Sequence, residues 1–348
     1  MYLHALATAV PSTVLTQTEC WEIAQRSPEC RKLNSRSLLM LKAILQRDNG
    51  IARRHLAVPD VERVFSLTAD ELNETFRVAA PGLAARALAS ALSQAGLFAG
   101  QLDALLVCTC TGYLCPGVTS YVAEQLGLRS DVFLQDLVGL GCGAAIPSLR
   151  AVEGILAAHP DAVVACVAVE VCSAAFYLDD DPGVLVSACL FGDGAAATIW
   201  RGVPGPSGLR CGSFSTVHQP EFRDRLRFEM RQGKLRNLLH PSVPALAGTA
   251  VERLLTGERA RPGARPISRV VSHTGGRDVL DAIERLCVGY ELGASRQVLS
   301  EYGNMSSPSV LFALERALRD GAPDASGDWW LTSFGAGFSA HGCRVGVA

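Results

Sequence analysis

Asp131-Val-Phe-Leu-Gln-Asp-Leu-Val-Gly-Leu-Gly-Cys-Gly-Ala-Ala-Ile-Pro-Ser-Leu-Arg150 decides how the rest of the chain is read. Its first part is apolar and rich in β-branched and aromatic residues, the pattern of a strand. A Gly141-Cys142-Gly143 turn follows, and Pro147 stands where the first turn of a helix tolerates a missing N–H. Strand, tight turn and helix put a thiol at a sharp corner. There the free N–H groups and the positive end of the following helix favour a thiolate, which makes Cys142 the candidate nucleophile. A cysteine taken at random is a small buried hydrophobe, so only its surroundings can lift Cys142 above that.

Outward from this segment the same grammar repeats. Upstream, residues 71–98 carry Ala and Leu at helical spacing, Leu105–Cys110 is a short buried strand, and a helix starts behind Cys115-Pro116. Downstream, Ala162–Val171 is a continuous apolar strand, and Leu190–Trp200 is a glycine-flanked turn feeding another. Gly202 to Gly208, with Pro204 and Pro206, punctuates the chain. Beyond it, Arg269–His273 ends a strand, residues 277–286 and 306–318 are helical, and residues 329–347 read strand, glycine turn, strand. This alternation predicts a mainly parallel α/β sheet. The two halves, residues 1–205 and 206–348, have similar order and suggest an internally duplicated, layered fold.

Composition narrows the function. The 348 residues are 49% hydrophobic, enough for a large core. A formal charge of −2 supplies no basic field for nucleic acid or a membrane surface. No stretch has the length and apolarity of a spanning helix, and no export signal is legible, so a soluble cytoplasmic protein is expected. Most of the twelve cysteines stand singly in apolar strands and should be reduced. Cys108, Cys110 and Cys115 lack a second paired cluster, so no metal site is expected.

Three polar residues fall at strand ends or in the turns beyond, where open α/β sheets place ligands. They are Cys142, His273 and Asn304. A cysteine with a histidine supplies a nucleophile and its partner, and His with Asn can donate two N–H bonds to an oxyanion. Such a set suits carbon–carbon chemistry. No Gly-x-Ser-x-Gly elbow or phosphate loop competes with it.

The segments around Cys142, together with His273-Thr-Gly-Gly276, Glu301-Tyr-Gly-Asn-Met-Ser-Ser307, Leu190-Phe-Gly-Asp-Gly194 and Phe334-Gly-Ala-Gly-Phe338, resemble the signature blocks of bacterial-type type III polyketide synthases, the chalcone and stilbene synthase family. They follow the family's order over roughly residues 100–348. The resemblance implies a thiolase-like α/β/α/β/α fold, with Cys142 in the N-terminal half (1–205) and His273 and Asn304 in the C-terminal half (206–348). It also implies a homodimer and coenzyme A thioesters, an acyl starter and malonyl coenzyme A, used directly and without a cofactor. Carried over, Cys142 would hold the acyl chain while His273 and Asn304 stabilise the enolate formed as malonyl coenzyme A loses carbon dioxide. Phe191 matches a gate between coenzyme A tunnel and cavity, and Phe176, Gly335, Gly337 and Phe338 fall in cavity-shaping stretches. Cys115 matches a position that reaches into the partner's cavity, and Lys42 and Arg47 lie near the coenzyme A-binding region. The implied product is a resorcinol, pyrone or related aromatic polyketide.

Departures from the family pattern matter. Ala145-Ile146 stands where many members have two glycines, and Ala336 replaces a proline. Bulky Phe176 and Tyr177 replace small hydroxyl residues, and the second gate phenylalanine aligns near Asn237, which argues against a plant-like coumaroyl starter. Asn237 lies in a basic run, Arg223 to Arg236, that either meets phosphates or an acidic acyl group or forms the solvated face of an amphipathic helix. Two other functions would use the same residues: a ketoacyl synthase III-like enzyme making one condensation on an acyl carrier protein, and a non-catalytic thiolase-fold protein that binds acyl thioesters. Thr274-Gly-Gly after His273, in place of Gln-Ala-Asn, argues against the first. An exposed thiol beside oxyanion donors argues against the second.

Overall fold

A computed structural model describes residues 1–347. The first half runs β1 (Tyr2–Ala9), β2 (Val14–Thr16), α1 (Gln17–Arg26), α2 (Ser35–Gln46), β3 (Arg53–His55), α3 (Ala69–Gln94), β4 (Ala104–Cys108), α4 (Val118–Leu126), β5 (Phe133–Leu137), α5 (Ala145–Ala158), β6 (Val164–Glu170), α6 (Pro182–Leu190) and β7 (Gly194–Arg201). The second runs β8 (Leu209–His218), β9 (Leu226–Arg231), β10 (Lys234–Leu239), α7 (Val243–Arg259), β11 (Ile267–Ser272), α8 (Arg277–Leu286), α9 (Gly293–Tyr302), α10 (Ser309–Asp320), β12 (Asp328–Gly335) and β13 (Ser339–Val347).

Alternation along the strands builds the layers. In β4, Leu105 and Val107 face α3, whereas Ala104, Leu106 and Cys108 face α5. In β12, Trp330 and Phe334 face α7 and α8, whereas Trp329 and Leu331 join α5 and α10. The two wings of one nine-stranded sheet thus share a central helical layer, with helices on each outer face. This is the thiolase-like α/β fold, layered α/β/α/β/α. The strands form one ladder, β11-β12-β13-β8-β1-β7-β6-β4-β5. The halves meet at a single β1–β8 pair, Tyr2 with Arg210.

The sheet is mixed rather than mainly parallel. Pairs β4–β5, β4–β6 and β11–β12 are parallel, whereas β6–β7, β1–β7, β12–β13 and β8–β13 are antiparallel. Residues 336–338 are too few for a crossover, so β12 and β13 can pair only as a hairpin. The basic run is likewise no helix. After a short turn at Pro220–Arg225 it forms the β9–β10 hairpin, in which Arg227 and Arg236 pair with Glu229, and Arg236 also pairs with Asp181. Much of its charge is answered within the fold.

Candidate active site

Cys142 lies in a 3₁₀ turn, Gly141–Gly143, between β5 and α5. Two glycines let the end of β12 close on that turn. A Cβ at Gly335 would lie 2.5 Å from Gly143 N and 2.9 Å from Cys142 N, and Gly141 has φ +56. The Ser333 hydroxyl donates to Gly143 O at 2.9 Å and fixes the approach. The expected Pro147 helix is present as α5, but the thiol is not held out at a solvent-facing corner: Cys142 is 6% exposed. Burial pushes the Cys142 thiol up to about 12, with the Ser306 hydroxyl pulling the other way. Desolvation therefore outweighs the helix end, and the resting group is a thiol.

Ser306 ties the site together. Its hydroxyl donates to Cys142 Sγ at 3.1 Å and lies 3.2 Å from Cys110 Sγ, while its backbone N–H donates to Asn304 Oδ1 at 2.8 Å. That last bond orients the amide, because Oδ1 is taken and Nδ2 is left as the donor. Ser306 adopts φ +59, a left-handed conformation uncommon for a residue with a side chain. Asn304 is also fixed through its backbone, its N–H donating to Leu190 O at 2.9 Å and its carbonyl accepting from Gly192 N at 3.0 Å. Phe191 thereby bridges to the Asn304 strand segment.

His273 follows β11, with its N–H donating to Thr332 O at 2.9 Å and its ring edge-on to Phe334 at 5.0 Å. Its imidazole is buried, and Nδ1 has no hydrogen-bond partner. Burial pulls it down to about 3, opposed by the Ser306 backbone, so the ring is neutral near pH 7. A neutral imidazole can donate one N–H and accept at the other nitrogen.

Of the other expected residues, Phe191 and Phe176 pack with Cys142 and Cys172 in one apolar cluster. Gly335 sits on the nucleophile turn, and Gly337 at φ +129 makes the β12–β13 turn. Phe338 packs in the core with α7 and α8 instead of on the pocket wall. Cys115 is exposed and lies away from its own chain's pocket. Lys42 is exposed on α2 and Arg47 is exposed at its C-terminus, neither in contact with the site.

Sequence reasoning passed over two residues. One is Ser306, although its block was singled out. The other is Glu170, fully buried at the end of β6, whose carboxylate accepts from Cys110 N, Thr111 N and the hydroxyls of Thr109, Thr111 and Ser307. Burial raises its pKa against those donors. One acid closing an otherwise apolar strand was the available signal. Asp193 does similar work from the Gly-Asp-Gly turn, accepting from Ala57 N at 2.6 Å and Ser173 N at 2.9 Å, and burial raises it to about 6.

Residues 1–204 match the family model described as chalcone and stilbene synthases, N-terminal domain, and residues 217–345 match the corresponding C-terminal domain. The chain is 33% identical over 297 residues to 3,5-dihydroxyphenylacetyl-CoA synthase of Streptomyces toyocaensis, covering 79% of this chain and 74% of that protein. It is 28% identical to 1,3,6,8-tetrahydroxynaphthalene synthase of Streptomyces coelicolor, covering 96% and 88%. The crystal structure of the Streptomyces coelicolor enzyme, a bacterial type III polyketide synthase, superposes with a TM-score of 0.85 at 26% identity, covering 100% of this chain and 99% of that one. With both family domains matched in order and the fold shared end to end, this chain belongs to the chalcone and stilbene synthase family and is a type III polyketide synthase, an acyltransferase-type condensing enzyme.

Proposed function

We propose that Cys142 carries the acyl starter and the growing chain, and that His273 and Asn304 bind the thioester carbonyl of malonyl coenzyme A. The observation that carries this is the position of Ser306, whose hydroxyl meets the Cys142 sulfur at 3.1 Å and whose N–H orients the Asn304 amide. In loading, the Cys142 sulfur attacks the starter carbonyl, loses its proton to neutral His273, and coenzyme A leaves as the thiol after taking that proton back. In extension, the carboxylate of malonyl coenzyme A departs as carbon dioxide. The electron pair left behind delocalises onto the thioester oxygen, where His273 and Asn304 N–H donors hold it. The enolate carbon then attacks the Cys142 thioester, expelling the sulfur and forming a carbon–carbon bond. Donors of this kind are worth roughly 3–4 kcal/mol each in well-studied sites. The chemistry needs no metal or redox cofactor. Repetition and ring closure give a resorcinol, pyrone or related aromatic product, and Lys42 and Arg47 offer positive charge to coenzyme A at the surface.

The working form is a homodimer. β5 is an unpaired sheet edge bearing exposed Phe133 and Leu134, with Val138 beyond it. Cys115, itself exposed, stands two residues before Gly117, where a Cβ would collide with Asp136 of β5.

Asn304→Ala separates the two half-reactions. Starter loading on Cys142 should persist, while carbon dioxide release from malonyl coenzyme A falls by about two to three orders of magnitude. Carbon dioxide release at the wild-type rate would remove Asn304 from the oxyanion role.

A further inference from the structure

Helix α6 ends at Leu190, directly before Phe191, and a helix cannot satisfy all of its own last carbonyls. The Gly192 N–H, which would reach back to Ala188 O if the helix went on, donates instead to Asn304 O at 3.0 Å. Leu190 O accepts from Asn304 N at 2.9 Å, and Cys189 O accepts from Gln17 Nε2 at 3.0 Å. Ala188 O and Phe191 O remain, on two buried residues where an unpaired carbonyl is costly. One side chain takes both. Arg54 of β3 donates from Nη1 to Ala188 O and to Phe191 O, each at 2.8 Å.

Arg54 is 1% exposed, so a full charge has been taken out of water to make these bonds. The negative end of α6 and the nearby Asp193 both favour a cation there, and the Phe176 ring lies 5.8 Å from the guanidinium carbon. The stem of Arg54 runs against the Asn304 segment as well. A Cβ at Gly303, where φ is +71, would lie 3.0 Å from Arg54 Cγ and 2.7 Å from Leu190 O. Arg54 therefore fixes the short stretch Leu190–Gly192, and that stretch grips the Asn304 backbone through its N–H and its carbonyl. We propose that Arg54 is a positioning residue for the condensation, which sets the direction of the Asn304 amide by holding Leu190–Gly192 and so governs the decarboxylation of malonyl coenzyme A. This rests on Asn304 being an oxyanion donor and adds to that reading the residue that aims it.

The test measures starter loading on Cys142 and carbon dioxide release from malonyl coenzyme A in Arg54→Met, in Asn304→Ala and in the double variant. Methionine keeps an apolar stem and removes both donors. Arg54→Met should load starter within about twofold of the wild-type rate but release carbon dioxide about tenfold more slowly or worse, as expected when a donor is misplaced by a fraction of an ångström. With Asn304→Ala already in place, Arg54→Met should slow release no further. That non-additivity separates aiming Asn304 from general support of the fold. Equal loss of both half-reactions, wild-type release in Arg54→Met, or a full further loss in the double variant would each overturn the proposal. Should Arg54→Met not fold, Arg54→Gln is read by the same comparisons, since its amide nitrogen stops at the position of Arg54 Nε, short of both carbonyls. If Asn304→Ala alone releases carbon dioxide at the wild-type rate, the oxyanion reading itself fails and takes the proposal with it.

Discussion

Cys142 and His273 are each neutral at rest, since burial lifts the thiol to about 12 and drops the imidazole to about 3. Desolvation penalises both charged forms, so a preformed thiolate–imidazolium pair is not the resting state. The proton must then move as the acyl group arrives. Because the thiolate is the species that is alkylated, the reaction of Cys142 with iodoacetamide in the free enzyme should accelerate about tenfold per pH unit from roughly pH 8 to 10, without a plateau. A plateau beginning near neutrality would mean that the thiolate exists at rest. The sequence identified Cys142, His273 and Asn304 as the polar residues at strand ends. It could not reveal Ser306 as their shared neighbour, because that depends on a left-handed φ at Ser306. The protonation states were misread for a similar reason. The helix end is written in the chain, but the depth of burial is set by β12 closing over Gly141–Gly143.

At the scale of elements, the strand ends are held by buried carboxylates. Glu170 joins the end of β6 to Thr109–Thr111 after β4 and to Ser307, adjoining Ser306. Glu170→Ala would strand several donors in a dry interior and should lower unfolding free energy by roughly 3 kcal/mol or more, measured by urea denaturation. A loss below about 0.5 kcal/mol would show that these donors find other partners. β5 poses the opposite problem, an apolar strand with nothing beside it on one edge. Phe133→Glu should convert the homodimer to monomer at micromolar concentration, read by light scattering after gel filtration. A variant that stays dimeric would place the interface elsewhere. The hairpin β9–β10 was the element least legible in the sequence. Its arginines alternate with apolar residues, but Asp181 and Glu229, which neutralise Arg236, lie outside the run or across the turn.

For the whole molecule, the order of strands and helices was readable because period-two and helical patterns alternate so regularly. The parallel-sheet expectation failed where short connections, as at residues 336–338, impose antiparallel neighbours. What the layers accomplish is to bring Cys142 from the N-terminal half to the Asn304 segment of the C-terminal half, with Ser306 linking Cys142 to Asn304. The account stands on Cys142 as the acyl carrier. Intact-protein mass spectrometry after incubation with acyl coenzyme A esters tests it most directly. It predicts one acyl adduct in the wild type, none in Cys142→Ala, and discharge of the adduct into a multiply extended product on adding malonyl coenzyme A. An adduct that persists in Cys142→Ala, or extension without any adduct, would contradict it.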